Sequence, residues 1–441
     1  MSTNVPTTDV PPPRTRLPWW RAMLFGLQHV IVMYTGCVAV PLVFGAAMGL
    51  DQRTIGILVN ADLLVAGVIT IIQALGIKKI LGARLPVVAG ASFTAVTPMI
   101  LIGEQYGLSA VYGAMIAAGV FGVLVAVPFS RLLRFFPPVV RGAAVTMIGL
   151  SLIGKAVSMI FDDGPADGQQ LALAGGIILV ILALMRYGRG FLSQAAVLIA
   201  LVAGTLAAMA LQLTDFSAVG DAAWFGLPQP FLFGAPTFPI AGIISMCIVM
   251  LVIFTETTAY LLSIGETIGK PPTQGQLSRG LAADGVSAVL AGLFTSFPDT
   301  VFAQNVGLVR MTGITSRNVV AIAGGILIAL GLVPKMGELV ASLPGVVIGA
   351  VSLVMFATVA GVGISTLAKV DFGDLSNFLI TSIALGIGMI PVVAPQVYAD
   401  FPAEVRIIFG GAISSTVIVA FTLNLVFNHV RRPQKKAKIP A

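Results

Sequence analysis

Apolar residues fall in runs of about twenty that recur roughly every thirty positions, the repeat expected when helices cross a bilayer and short links join them. The pattern predicts an all-α polytopic membrane protein. Its segments run over 20–48, 54–76, 86–103, 107–129, 138–160, 171–186, 192–212, 238–263, 279–297, 299–312, 317–333, 338–361, 376–391 and 404–428. Two of these fourteen are irregular. The third contains RLPVVAGASFTAVTP, which is Gly-interrupted and bounded by Pro86 and Pro98. The tenth lies in SFPDTVFAQNVGLVRMTGITSR (Ser296–Arg317), where Pro298 and Asp299 interrupt the start. Only about a dozen residues separate Pro298 from Thr312, short of the roughly 20 that a spanning helix needs. Polar side chains and broken backbone at membrane depth are tolerated where they are buried in protein or line a cavity, so this stretch is read as a binding site.

Each irregular segment stands third in a block of seven. Seven is odd, so two successive blocks run inverted to one another, which predicts a 7+7 inverted repeat. Aligning Pro86 with Pro298 sets Ser92 against Gln304 and Phe93 against Asn305. Paired broken segments in corresponding positions point to a midplane site in a transporter.

Composition agrees. The chain is 57% hydrophobic and only 10% charged, with a mean hydropathy of +1.00, where soluble domains run near a quarter charged. The net charge of +7 is explained by its placement. With the N-terminus inside, 21 of the 25 Lys and Arg fall on the inner side, from Arg14, Arg16 and Arg21 to Arg431, Arg432, Lys435, Lys436 and Lys438. The outer links hold Asp51, Glu104, Asp162, Asp163, Asp167, Asp215, Asp221, Asp299, Glu338, Asp400 and Glu404. This asymmetry follows the positive-inside rule and sets both termini in the cytoplasm. Residues 1–17, with Pro11-Pro12-Pro13, read as a disordered cytoplasmic leader without a cleavage site, and 431–441 as a basic cytoplasmic tail.

The chemistry is that of a carrier. Cys37 and Cys247 form neither a disulfide framework nor a metal-ligand spacing, and His29 and His429 stand apart from any metal set. No nucleophile elbow and no phosphate-cradling loop appears. The chain is therefore read as a non-enzyme without cofactor or metal, driven by an ion gradient rather than ATP.

Four polar groups inside the segments carry the site. Glu256 sits in ISMCIVMLVIFTETTAYLLSIG, where an unpaired carboxylate costs roughly 2.5–3.5 kcal/mol at a helix centre, so it is read as a ligand-binding and protonatable group. Thr257, Thr258 and Tyr260 add hydrogen-bonding capacity beside it. Asp284, following Arg279, is either a helix-end carboxylate or a proton-coupling group. His29 on the first span, close to Gly36, either bonds a backbone group or organises the site. Gln304 offers both donor and acceptor to a ligand edge, whereas Asn305 suits a helix cap. Phe93 supplies an aromatic face for a planar ligand. A helix N-terminus facing an amide and a carboxylate suits a planar, weakly acidic, hydrogen-bond-rich molecule.

Gln304-Asn305-Val306-Gly307 followed by Thr312-Gly313 resembles the signature of the nucleobase–ascorbate transporter family, also called nucleobase:cation symporter-2. Gln28-His29, Gly90-Ala91-Ser92-Phe93, Glu256 and Asp284 are similar to further family landmarks, and the resemblance runs from about Pro18 to Val430. It implies a 7+7 fold with short strands in segments 3 and 10. It also implies a core domain (18–134 and 236–335) that moves elevator-like against a gate domain (135–215 and 336–430), with homodimerisation through the gate. Glu256 would bind the nucleobase, Gln304 its other polar edge, and Phe93 and Ala303 would sandwich the ring, with Ser92, Gly36, Asn305 and Tyr260 nearby. Glu256, Asp284 or His29 would serve proton coupling. Gln304 with GLVRMTGITSR resembles the bacterial xanthine and uric-acid branch, while Tyr260 stands where uracil carriers have His. The implied function is proton-coupled uptake of xanthine or urate across the bacterial inner membrane. Partners would be a nucleobase, the bilayer and a second copy of the chain, with no nucleic acid. The alternatives are a uracil carrier of the same fold, an anion carrier of the structurally related sulfate-transporter group, and a non-transporting membrane protein such as a sensor.

Overall fold

The computed structural model describes residues 18–132, 135–161, 164–165, 167–214 and 216–429. Both expected tails, and with them Arg134, Asp162, Asp163 and Asp215, lie outside the described residues.

The first half begins with α1 (Trp19–Ala47) and α2 (Gln52–Leu75). Asp51 starts α2 by accepting from the Thr54 amide at 3.2 Å and its hydroxyl at 2.6 Å, which satisfies an orphan donor of the first turn. Strand β1 (Ala89–Ala91) leads through a 3₁₀ turn, Phe93–Ala95, into α3 (Val96–Tyr106). There follow α4 (Leu108–Leu132), α5 (Pro138–Phe161), α6 (Gly168–Tyr187), the short α7 (Phe191–Gln194), α8 (Ala196–Ala210) and α9 (Ser217–Asp221). The second half holds α10 (Ile240–Thr267) and α11 (Gln274–Phe294), the latter opened by a reciprocal Thr273–Gln276 capping box. Strand β2 (Asp299–Val301) runs into α12 (Ala303–Thr312). Then come α13 (Arg317–Gly331), α14 (Pro334–Ala341), α15 (Gly345–Leu367), α16 (Leu375–Val393), α17 (Ala403–Phe409) and α18 (Ala412–Asn424).

Among the described residues ten helices are long and apolar enough to cross a membrane, and α13 with α14, bent by 80°, make an eleventh crossing if counted together. The bend has a local cause: Pro334 has no N–H to continue α13 and instead opens a new helix. Irregularity is therefore wider than the two segments expected from sequence. The eleventh, expected over 317–333, is α13 and is followed from Pro334 by the separate α14, the seventh divides into α7 and α8, and the last divides into α17 and α18. The segment expected over 338–361 begins only at Gly345, because Glu338 belongs to α14.

β1 and β2 pair antiparallel, with Ala89 opposite Val301, Gly90 opposite Thr300 and Ala91 opposite Asp299. The Ser92 amide donates to the Pro298 carbonyl and the Phe302 amide to the Val88 carbonyl, at 2.9 and 3.0 Å, so the pairing continues past both strand ends. Two strands that cannot form a sheet alone satisfy each other inside the molecule. Strand ends and the caps Ser92 and Phe302 relate Phe93 to Ala303, two residues from the register in which Pro86 matches Pro298. Asp299, expected in an outer link, is fully buried in β2, and Glu338 is buried as well.

Packing pairs α4 with α11, α2 with α13, α5 with α15, α16 with α18 and α6 with α8. Small residues let these backbones touch, since lipid supplies no hydrophobic drive between helices. A Cβ on Gly67 would lie 2.6 Å from the Gly324 carbonyl oxygen, and one on Gly119 would lie 2.7 Å from that of Gly285. The same holds at α5 and α15, where a Cβ on Gly363 would collide with the Thr146 amide nitrogen.

Candidate functional site

The strands end in the middle of the molecule, and the helices that follow them begin there. α12 starts after Phe302 without a side-chain cap, so its first N–H groups and its positive dipole end face the centre. On the other strand Ser92 caps the turn to α3, accepting from the Thr94 amide at 3.3 Å. Between these two helix starts lies a cavity of about 420 Å³. That size is within the roughly 300–1,000 Å³ of small-molecule sites.

Glu256 on α10 is the carboxylate that lines it. Its Oε1 accepts from the Thr94 hydroxyl at 2.9 Å and its Oε2 from the Ser92 hydroxyl at 3.5 Å. The side chain is thus held by two hydroxyls from the β1 segment, and among the described residues no basic one lines the cavity with it. On the same helix the Thr257 hydroxyl lies 3.2 Å from that of Thr300 on β2, which ties α10 to both strands, while Thr258 bonds back to the Phe254 carbonyl at 2.7 Å.

Gly36, Ser92, Phe93, Tyr260, Ala303 and Gln304 line the cavity alongside Glu256. Gln304 is exposed to it on the first turn of α12. Phe93 stands edge-on to Phe356 of α15, with centroids 5.1 Å apart, so its ring is steadied from the far side. Gly36 leaves room for Phe302, whose Cε1 lies 2.5 Å from where a Cβ would be. The opposite wall comes from α5, α7 and α15, including Ile148, Gln194 and Thr358.

Besides Thr257 and Thr258, three of the singled-out residues do not line the cavity. Asn305 is fully buried behind it and donates to His29, once to Nδ1 and once to the backbone carbonyl, both at 3.0 Å. It is therefore not the cap of α12; it braces α12 against α1. His29 is buried on α1 and is joined to α12 by that amide. Asp284 is fully buried on α11, accepting from Gln73 of α2 at 3.0 Å rather than pairing with Arg279. Gln73 also donates to the Gly280 carbonyl at 2.9 Å and accepts from the Ala83 amide at 3.1 Å.

Sequence reasoning missed Thr94, the shorter of the two donors to Glu256. It also missed a second set of buried carboxylates. Asp62 accepts from the Cys37 thiol at 2.7 Å and from the Ser296 hydroxyl at 3.2 Å, and Asp299 from Ser287 at 2.8 Å. The polar interruption at 296–299 was a signal; Asp62, inside a plain apolar run, gave little beyond being a charge in a span. The arrangement at the cavity offers a carboxylate for ligand N–H groups, an uncapped helix start and an amide for ligand oxygens, and an aromatic face.

A family model described as Permease family (Xan_ur_permease) matches residues 21–397. The xanthine permease of Bacillus subtilis is 38% identical over 419 residues, covering 94% of this chain and 95% of that protein. The uric acid permease PucJ of the same organism is 39% identical over 418 residues, 93% of each. The uric acid transporter UacT of Escherichia coli is 39% identical over 415 residues, 92% of this chain and 86% of its own. A uracil permease of Bacillus subtilis is more distant, at 29% over 404 residues and 88% of each. Among solved structures, the transmembrane domain of the cyanobacterial bicarbonate transporter BicA matches at a TM-score of 0.60 and 15% identity, covering 93% of this chain and 98% of that one. The murine Slc26a9 anion transporter in its inward-facing state matches at 0.64 and 12%, covering 94% of this chain and 69% of that one. These last two share the fold. With a family model over most of its length and relatives matched nearly end to end, the chain belongs to the nucleobase–ascorbate transporter family of permeases, and it is a transporter rather than an enzyme.

Proposed function

We propose that this protein carries an oxidised purine, xanthine or urate, into the cell in symport with protons. The observation that carries the reading is the cavity itself: Glu256 held between Thr94 and Ser92, facing Gln304 on an uncapped helix start. An oxopurine has N–H groups for the carboxylate, carbonyl oxygens for the amide and the helix N–H groups, and a flat ring for Phe93 and Ala303. Relatives named for xanthine and uric acid are more similar than those named for uracil, which supports a purine over a pyrimidine.

The protein works as fourteen segments in two inverted blocks of seven. Ten helical crossings and the bent α13–α14 crossing are joined in this reading by three broken ones: β1 with α3, α7 with α8, and β2 with α12. The helix pairing supports the symmetry. Exchanging the two blocks turns the α2–α13 pair into the α11–α4 pair and the α6–α8 pair into the α16–α18 pair. The core domain (18–134 and 236–335) carries the substrate and slides against the gate domain (135–215 and 336–430), through which two copies associate. The chain resides in the inner membrane with both termini cytoplasmic. Glu256 takes the proton with the substrate, Asp284 is the second candidate for that proton, and His29 acts on the site through Asn305.

The test is uptake of radiolabelled xanthine in cells without their own purine carriers, with urate, uracil, guanine and hypoxanthine as competitors, with and without a protonophore. Protonophore-sensitive uptake blocked by xanthine and urate but not uracil is expected. Uptake of uracil with no purine entry would overturn the assignment.

A further inference from the structure

A second cavity, of about 750 Å³, lies between α3, α5 and the stretch from the end of α16 to α18. The two cavities are stacked along α5. Val145 and Ile148 line the central one, and Ser151 and Lys155, on the next turns of the same helix, line the second. They approach opposite ends of the molecule. The central cavity extends to Met185 and Ser193, where α6 ends and α7 begins, whereas the second reaches the ends of α3 and α5. In the orientation proposed above the first opens inward and the second outward.

The two chambers differ in charge. Among the described residues that line the inner one, Glu256 is charged and none is basic. The outer one holds Lys155 and Arg406 against Glu104. Four basic residues, Arg53, Lys155, Lys335 and Arg406, depart from the inward bias of Lys and Arg, and two of them meet here. Lys335 is already engaged, donating to the Val219 and Gly220 carbonyls at 2.8 Å each and lying over the Trp224 ring. Among the described residues Arg406 donates to neutral oxygens, those of Gln105 and the Ala399 carbonyl, and pairs with no carboxylate. Lys155 is exposed and makes no ion pair with a described carboxylate.

A chamber built around Glu256 repels an approaching anion, although it suits a bound purine once a proton is taken up. We infer that the outer cavity is a separate capture site for the purine monoanion, with Lys155 supplying the attraction and Gln105, oriented by Arg406, meeting the ring edge. This rests on the oxopurine reading above. Capture by a point charge in a cleft raises the local concentration of the ion and acts on KM rather than on turnover.

Urate is the probe, an anion at neutral pH, and uptake is measured in proteoliposomes at low and high ionic strength. For Lys155→Gln, KM for urate should rise about fivefold at low salt, the factor expected for one charge at contact distance in water, with Vmax little changed. The salt dependence of KM seen in wild type should flatten in Lys155→Gln, and Lys155→Arg should restore both. An unchanged KM, or a raised KM that keeps the wild-type salt dependence, would overturn the inference. An effect present only in vesicles containing anionic lipid would overturn it too, by giving Lys155 a headgroup as its ligand. If wild type takes up neither urate nor xanthine, the oxopurine reading itself fails, and that is seen before any variant is compared.

Discussion

In the proposed purine site Glu256 is the residue with the largest expected effect. Its two hydroxyl donors leave the carboxylate free to accept from a ligand, so Glu256→Gln removes a charge-assisted acceptor while keeping the shape. Hydrogen bonds to charged groups contribute about 1.5–3 kcal/mol, so purine Kd should rise about 10- to 100-fold in binding measurements on the purified protein. Full activity in Glu256→Ala would remove it from the site. Asn305 makes a contrasting case. Its amide is buried and joins α12 to His29, so Asn305→Ala takes the amide donor away from the buried His29 Nδ1, while the His29 carbonyl keeps its place in the helix α1. The expected loss is about 1–3 kcal/mol of stability, read as a lower melting temperature in detergent. Purine affinity should move less than in Gln304→Ala, which alters the cavity wall itself. The distinction was only half legible beforehand. Gln304 and Asn305 are adjacent amides in one motif, and the helical turn that sends one into the cavity and the other into the protein depends on where α12 starts.

At the scale of elements, close backbone contact is what the glycines permit. A Cβ on Gly67 would lie 2.6 Å from the Gly324 carbonyl oxygen and 2.8 Å from the Ile328 amide nitrogen. Backbone cannot rotate away, so Gly67→Val should force α2 and α13 apart and cost about 1–3 kcal/mol, measured as lower thermal stability. The broken segments around 86–98 and 296–312 were visible as proline-bounded, polar interruptions of an apolar pattern. The extra breaks were harder to see. Ala195 and the Gly410–Gly411 pair interrupt helices without any polar signal strong enough to end an apolar run. Pro334 is a clear breaker, yet hydropathy alone assigned Glu338 to an outer link because burial of a carboxylate depends on its neighbours.

Across the whole molecule, the central cavity lies where the strand-bearing helices meet α5, α7 and α15, so transport by a sliding core requires those walls to separate. A Cβ on Gly307 of α12 would lie 3.8 Å from the Gln194 side chain of α7. Gly307→Cys with Gln194→Cys, joined by a short cleavable thiol cross-linker, should stop uptake, and cleavage of the linker should restore it. Uptake that continues with the link intact would exclude relative motion of these two elements.

The sequence by itself determined the membrane-spanning character, the apolar segments, the two broken segments and the family. All of these reside in local composition or in contiguous motifs, and a bilayer imposes them on each stretch separately. Tertiary structure decided which polar groups meet. Thr94 and Glu256 are 162 positions apart, Asn305 and His29 are 276 apart, and Asp62 and Ser296 are 234 apart. A buried polar group must find a partner, but in an apolar protein that partner can come from any other helix. The choice among them is made by packing.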